Sequence, residues 1–199
     1  MDKYNVYQDM SRRTGGEIYL GIVGPVRTGK STFIKRFMEL VVIPEMADDN
    51  EKVRTIDELP QSADGKTIMT TEPKFIPKEA AVIHFSNQET GKIRLIDCVG
   101  YLVPEAVGAI EEEKERMVKT PWSEEEIPFS KAAEIGTSKV IREHSNLGLI
   151  ITTDGSFGDI AAANFEEALQ KTVMECEKAG KPFLILVNTS RSDSQETVQ

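Results

Sequence analysis

The sequence has few cysteines and no basic stretch, and each shortage excludes a class of protein. Two cysteines among 199 residues, Cys98 and Cys176, are too few for a disulfide framework, so a reducing compartment such as the cytosol fits. The net charge is −9, and acidic residues crowd into Glu105–Glu126. Because no basic stripe offsets phosphate charge, we exclude nucleic acid as the main partner, and the acidic run is typical of a solvated face.

Long apolar runs are also missing. The chain starts with Met1-Asp2-Lys3-Tyr4-Asn5, which is already polar, so the sequence predicts neither a signal peptide nor a membrane-spanning helix. Internal repeats and low-complexity segments are absent. With 39% hydrophobic and 29% charged residues, residues 1–199 are expected to form one domain, with residues 1–15 as an N-terminal segment.

Glycine is concentrated in a run between a predicted strand, Ile18–Val23, and a predicted helix, Ser31–Val42, which Pro44 is expected to stop. The run fits G-x-x-x-x-G-K-[ST] in the strand–loop–helix context of a phosphate-binding loop, rather than a chance glycine turn. Backbone N–H groups would surround a polyphosphate, Lys30 would reach the β- and γ-phosphates, and Ser31 would ligate magnesium. The predicted nucleotide-binding residues are Gly24, Pro25, Val26, Arg27, Thr28, Gly29, Lys30, Ser31 and Thr32.

A second motif, D-x-x-G, follows 67 residues after Lys30, where Asp97 ends the predicted strand Ile93–Asp97. Its carboxylate could hold magnesium through water, and the N–H of Gly100 could meet the γ-phosphate. A carboxylate that simply caps a strand is the alternative. Together with the predicted antiparallel strand Val82–Phe85, the two motifs indicate a switch NTPase similar to Ras.

The order of predicted elements indicates an α/β fold: a P-loop NTPase with a Ras-like, mostly parallel sheet, one antiparallel edge strand and helices on both faces. Two stretches without clear periodicity, residues 45–78 and 101–130, are expected at the carboxyl ends of the strands. We interpret them as switch-like insertions, with plain surface loops as the alternative.

Threonines in the first of these stretches are candidates for sensing the γ-phosphate. The hydroxyl of Thr70 or Thr71 could close on magnesium, as a threonine does in Ras-like proteins. Threonines shortly before a proline also favour extended chain, which is the alternative interpretation. The predicted metal ligands are Ser31, Thr70 and Asp97.

The choice of base is indicated by a departure from the guanine-binding pattern Asn-Lys-x-Asp. The last predicted strand, Phe183–Val187, runs into Asn188-Thr189-Ser190-Arg191, in which the asparagine is kept and arginine replaces the aspartate. A cation cannot accept the N–H donors of guanine, so we predict ATP rather than GTP, with Mg²⁺, and Asn188 in the nucleotide site.

The residue that would orient the attacking water is missing from its usual place, because Tyr101 stands where Ras-like enzymes often have glutamine. Intrinsic hydrolysis is therefore expected to be slow. Arg27 could lie over the phosphates as a built-in arginine, or it could point to solvent or to a neighbouring chain.

Several longer blocks carry a more specific resemblance. They are Arg13–Gly21, Asp57-Glu58-Leu59-Pro60-Gln61-Ser62, Lys66-Thr67-Ile68-Met69-Thr70-Thr71-Glu72-Pro73-Lys74-Phe75, Thr120-Pro121-Trp122 and Ile151-Thr152-Thr153-Asp154-Gly155. Together with the phosphate loop, they resemble the stage IV sporulation protein A family of spore-coat morphogenetic ATPases from about Tyr4 to Val187.

This resemblance implies a chain that hydrolyses ATP to drive its own polymerisation, with Lys30, Thr70, Thr71 and Asp97 as catalytic residues. The polymer would be a static basement layer for the spore coat on the outer forespore surface. It would form in the mother-cell cytoplasm, tethered by a small amphipathic membrane-anchor protein, and would recruit other coat proteins.

Members of that family are more than twice as long as this chain. We therefore expect an ATPase domain without the family's C-terminal domains, with the strand Phe183–Val187 at a sheet edge or covered by a partner chain. A nucleotide-binding scaffold with little turnover and a conventional regulatory GTPase are the alternative functions.

Overall fold

A computed structural model describes residues 15–60, 71–84, 90–106, 110–111 and 114–192. The predicted N-terminal segment lies almost entirely outside these residues, and so do Thr70 and Phe85. The strands are β1 (Glu17–Val23), β2 (Lys74–His84), β3 (Thr90–Asp97), β4 (Ile110–Glu111), β5 (Lys114–Glu115), β6 (Met117–Thr120), β7 (Ser123–Pro128), β8 (Leu147–Thr153) and β9 (Phe183–Asn188). The helices are α1 (Lys30–Phe37), α2 (Ile43–Glu45), α3 (Asp49–Glu58), α4 (Phe129–Lys139) and α5 (Glu166–Lys178).

Five of the strands form one sheet in the order β2-β3-β1-β8-β9. Strand β1 is central: Leu20 pairs with Leu95 of β3 and with Leu147 of β8, both in parallel. Strand β9 is parallel to β8, whereas β2 is antiparallel to β3. This is the predicted, mostly parallel sheet with one antiparallel edge strand.

Successive side chains of a strand point to opposite faces of the sheet. Because the strands carry apolar residues on both faces, a core forms on each face. On one face, Leu20 and Ile22 of β1 pack with Ile34 of α1 and with Leu59, which follows α3. On the other face, Val23 packs with residues of α5 and of the wide turn Val140–His144 that follows α4. Helices therefore cover both faces, as the sequence predicts.

The helix after the phosphate loop continues past the predicted stop at Pro44. Residues Met38–Val42 form a wider turn in which the N–H of Ile43 donates to the carbonyl of Met38, five residues earlier. Pro44 then lies in the first turn of α2, where its missing N–H is tolerated. The expected stop was therefore wrong.

Residues 45–78 are more regular than expected, because they contain α3 and the start of β2. Helix α3 buries only Thr55, so it has no apolar stripe for a sequence pattern to show. Strand β2 contains Pro77, and its pairing with β3 shifts register between Ile76 and Ala81. A proline is tolerated there because β2 is an edge strand.

Residues 101–130 also contain regular structure that the sequence did not predict. Strands β6 and β7 form an antiparallel hairpin, and α4 begins at Phe129. The acidic run Glu124–Glu126 lies in β7 and is exposed, which agrees with its interpretation as a solvated face.

Strand β9 is the last strand at its end of the described sheet, as expected for an edge. From Leu184 to Val187 its apolar side chains are exposed on both faces, from 40% for Leu186 to 62% for Leu184. In the described part of the chain, no helix is both long and apolar enough to cross a membrane.

Candidate nucleotide site

The phosphate loop fits between β1, β8 and the end of β9 because glycines at two of its positions carry no side chain. Gly24 has φ 129°, and a Cβ there would lie 2.3 Å from the carbonyl oxygen of Ile151. Gly29 has φ 91°, and its Cβ would lie 2.6 Å from Nδ2 of Asn188. These approaches and left-handed conformations require glycine, so the motif is in the strained loop form that surrounds a phosphate.

Lys30 begins α1 with its side chain folded into the loop. Its Nζ donates to the carbonyl oxygen of Pro25 at 2.5 Å, and the Thr28 hydroxyl donates to the same oxygen at 2.9 Å. Burial lowers the pKa of the Lys30 amine below its usual value. An ammonium taken out of water favours an anionic ligand, which would restore its interaction with opposite charge.

Ser31 and Asp97 meet at the predicted metal position. The Ser31 hydroxyl is in an exposed first turn of α1 and donates to Oδ2 of Asp97 at 2.8 Å. The other carboxylate oxygen, Oδ1, is buried without a hydrogen-bond partner, and burial raises the pKa of this carboxyl above its usual value.

This donor set fits Mg²⁺. Hydroxyl and carboxylate oxygens are the ligands that Mg²⁺ prefers, and a buried, unsatisfied carboxylate oxygen is costly unless a cation or water completes it. Ser31 would bind the ion and Asp97 would hold it, directly or through water. When bound with a nucleotide, the ion neutralises charge on the β- and γ-phosphates.

The segment after β3 is attached directly to the phosphate loop. The N–H of Val26 donates to the carbonyl oxygen of Tyr101 at 2.9 Å. A Cβ on Gly100 would lie 2.1 Å from the carbonyl oxygen of Gly24 and 2.8 Å from Nζ of Lys30. The two motifs predicted from sequence are therefore in contact.

Tyr101, which stands where Ras-like enzymes often have glutamine, has its side chain in an apolar cluster. Its side chain is 4% exposed and packs with Val103, Phe165 and Ala168, under the ammonium of Lys171. Burial raises the pKa of its phenol. By packing in this cluster, the Tyr101 side chain holds the start of the second switch-like stretch against α5.

The sensor threonines are only partly described. Thr71 is buried, and a Cβ on Gly136 of α4 would lie 2.7 Å from the Thr71 carbonyl oxygen. Thr70 lies outside the described residues, and Thr32 is exposed in the first turn of α1. The catalytic and metal-binding roles of the two threonines stay predictions.

Arg27 lines a groove of about 250 Å³ beside the phosphate loop, together with Glu105 and the residues Phe157, Asp159 and Ile160. Both Arg27 and Glu105 have φ 66°, which is uncommon for residues with a side chain. The role of Arg27, over the phosphates or toward solvent or a neighbouring chain, stays a prediction.

Asn188 connects the end of β9 to the phosphate loop. Its Nδ2 donates to the carbonyl oxygen of Thr28 at 3.1 Å. The next residue, Thr189, donates its hydroxyl to Oδ2 of Asp154, which lies in the loop after β8. Asp154 and Thr189 are functional candidates that the motifs did not reveal, because their contact joins two separate loops.

Comparison with known proteins gives the family. The stage IV sporulation protein A ATPase domain matches residues 1–199. The chain belongs to this family. It is 55% identical over 197 residues to stage IV sporulation protein A of Bacillus subtilis (strain 168), covering 99% of this chain and 40% of that protein. The corresponding protein of Clostridioides difficile (strain 630) is 50% identical, with 97% and 39% covered.

The chain thus spans about 40% of the length of these relatives. Among solved structures, a dimerization-deficient mutant of Toc33 from Arabidopsis thaliana is similar with a TM-score of 0.39 and 10% identity, covering 93% of this chain and 76% of that one. Family membership makes this chain a stage IV sporulation protein A ATPase domain.

Proposed function

We propose that this chain binds ATP with Mg²⁺ at the phosphate loop and hydrolyses it slowly. The observation that carries the proposal is the pairing of Ser31 with Asp97 at 2.8 Å, beside a buried Lys30 and with one carboxylate oxygen unsatisfied. Because Arg191 stands where guanine-binding enzymes have an acceptor, ATP is the nucleotide this chemistry favours.

Phosphate release from ATP and from GTP tests this proposal, with Lys30→Ala as the inactive variant. We expect ATP-selective turnover that falls by about 100-fold or more in Lys30→Ala, because the lysine would neutralise charge that develops in the transition state. Lys35→Ala, on the same helix but outside the site, is the matched control and should keep wild-type turnover.

A nucleotide-binding scaffold without turnover is the second candidate, favoured by the burial of Tyr101 in an apolar cluster. ATP binding without phosphate release would support the scaffold. Equal turnover of GTP, or a preference for it, would contradict the choice of base.

We further propose that ATP hydrolysis switches self-assembly of the longer protein into a static polymer, the basement layer of the spore coat. Its proposed place is the mother-cell cytoplasm at the outer forespore surface, with a small amphipathic membrane-anchor protein and other coat proteins as partners. Similarity to stage IV sporulation protein A supports a role of this domain in sporulation. A nucleotide can act in this way only if the ATP and ADP forms differ in affinity between chains, which sedimentation in each nucleotide would measure.

A further inference from the structure

A tryptophan in the turn of the β6–β7 hairpin reaches the middle of α4. Trp122 lies between β6 and β7, and a Cβ on Gly136 of α4 would lie 3.9 Å from its Cη2. The hairpin is also attached to the start of α4. There the N–H of Phe129 donates to the carbonyl oxygen of Arg116 at 2.8 Å, and the Arg116 guanidinium lies over the Phe129 ring. The hairpin therefore holds the indole against α4 from a fixed base.

The backbone of Thr71 approaches the same point on α4. A Cβ on Gly136 would lie only 2.7 Å from the Thr71 carbonyl oxygen, so this approach requires a residue without a side chain. Thr71 itself is buried. Thr71 and Trp122 thus converge on Gly136, and we call Gly136 and Trp122 the threonine seat.

The threonine seat lies next to the end of the sheet at which the metal ligands meet. Thr71 is three residues before Lys74, whose partner in the β2–β3 ladder is Asp97. Three residues of chain span at most about 10 Å, so the Thr71 backbone is held near the carboxyl end of β3. Asp97 and Ser31 meet at that end. What Thr71 can contact there depends on where the seat holds its backbone.

Two polar groups in this part of the hairpin are buried without partners. Nε1 of Trp122 and Oγ1 of Thr120 have no hydrogen-bond partner among the described residues. A buried donor without a partner is unfavourable, and a phenylalanine would pack in the turn without one. The unpartnered N–H therefore indicates that Trp122 has a role besides packing, and that its surroundings change when Thr71 engages a ligand.

We propose that Trp122 is a positioning residue for the γ-phosphate: with Gly136, it holds the Thr71 backbone where this threonine meets the terminal phosphate of Mg-ATP. The inference rests on the proposed ATP function and names residues that make the site distinguish a triphosphate from a diphosphate. Because ADP has no group at that position, the threonine seat affects ATP binding and turnover and leaves ADP binding unchanged.

The first test compares the affinities of Mg-ADP and of Mg-bound β,γ-imido-ATP, which is not hydrolysed. Trp122→Phe keeps an aromatic ring but removes the outer part of the indole and its N–H. Gly136→Ala favours the helix and puts a methyl group against the Thr71 carbonyl oxygen. We expect each variant to lower the preference for the triphosphate by about tenfold with unchanged ADP affinity, as for one lost hydrogen bond to a charged group. Met117→Ala, exposed on β6 of the same hairpin, should keep both wild-type affinities.

The second test uses fluorescence, because Trp122 is the only tryptophan in the sequence. Its emission therefore reports on the threonine seat in the unmodified chain. We expect the emission maximum to shift when Mg-bound β,γ-imido-ATP binds and to stay unchanged when Mg-ADP binds. The same spectrum with both nucleotides would overturn the inference.

The outcomes separate the two proposals. A wild-type chain that binds neither nucleotide overturns the proposed function, and this inference with it. A wild type that prefers the triphosphate, with an equal preference in Trp122→Phe and Gly136→Ala, overturns the threonine seat alone. Equal losses of affinity for both nucleotides also overturn it, because they show a general disturbance of the site. If Trp122→Phe does not fold, Gly136→Ala decides in the same way.

Discussion

Gly100 has no side chain, and both the local backbone conformation and the contact with the phosphate loop require this. It has φ 93°, and a Cβ would collide with the carbonyl oxygen of Gly24 at 2.1 Å and meet Nζ of Lys30 at 2.8 Å. We predict that Gly100→Ala pushes the segment after β3 away from the phosphate loop. ATP affinity should fall at least tenfold, and the free energy of unfolding should fall by more than about 1 kcal/mol.

Gly180→Ala is the control, because it adds the backbone strain of a positive φ without a steric collision. Gly180 also has a positive φ, 63°, but nothing lies within 4 Å of a Cβ there. The Gly180→Ala substitution should lower the free energy of unfolding by about 1 kcal/mol and leave ATP affinity unchanged. Wild-type ATP affinity in Gly100→Ala would show that the contact with the loop is dispensable. Isothermal titration and urea denaturation give the two quantities.

At this scale, the sequence predicts residues that belong to the two recognised motifs. Lys30, Ser31 and Asp97 are brought together as expected, because a phosphate loop and a strand-terminal aspartate have fixed positions in such a sheet. The pairing of Asp154 with Thr189 spans 35 residues between two loops. No spacing rule predicts such a contact, so only the structure reveals it.

Helix α3 depends on the capping residue before it, Asp48, more than on its packing. It buries only Thr55, and the side chain of Asp48 accepts the N–H groups of Asn50 and Glu51 at its start. We predict that Asp48→Ala lowers the free energy of unfolding by about 1 kcal/mol, as the loss of an N-cap does. Asp49→Ala, which removes the neighbouring carboxylate and keeps the cap, should cost less. Equal losses in urea denaturation would contradict the capping role.

The elements that sequence analysis missed share one physical cause: their side chains do not bury a regular stripe. In α3, the signal that remains is Asp48, an acceptor ahead of a polar helix. Pro77 interrupts the strand pattern in the sequence of β2, so its first half was not predicted. An edge strand tolerates this proline where the register is irregular. Strands β1 and β3 were predicted because apolar residues on both of their faces are buried.

For the whole molecule, the edge strand β9 is the surface expected to govern association. Leu184, Ile185, Leu186 and Val187 are each at least 40% exposed along an open strand edge. We predict that the chain self-associates as its concentration rises. Leu184→Lys combined with Leu186→Lys should abolish this, because charged residues on an edge oppose pairing. Sedimentation velocity over a range of concentrations measures the effect.

The control for this experiment is Leu40→Lys, since Leu40 is 72% exposed on the turn after α1. If apolar exposure alone drives association, Leu40→Lys reduces it as strongly as the double variant does. If the strand edge is responsible, it has little effect. A wild-type sedimentation coefficient that does not change with concentration would contradict the predicted self-association.

The central position of β1 has a consequence for the order in which the molecule can assemble during synthesis. β1 is made first, but its contact with β3 spans 75 residues, from Glu17 to Lys92, and its contact with Asn146, just before β8, spans 127 residues from Tyr19. Closing such long loops is slow. Gly24 of the phosphate loop packs against Ile151, which lies within β8. A nascent chain that has not yet produced β8 therefore has the phosphate-loop sequence but no formed pocket, and nucleotide binding reports that the central sheet is complete.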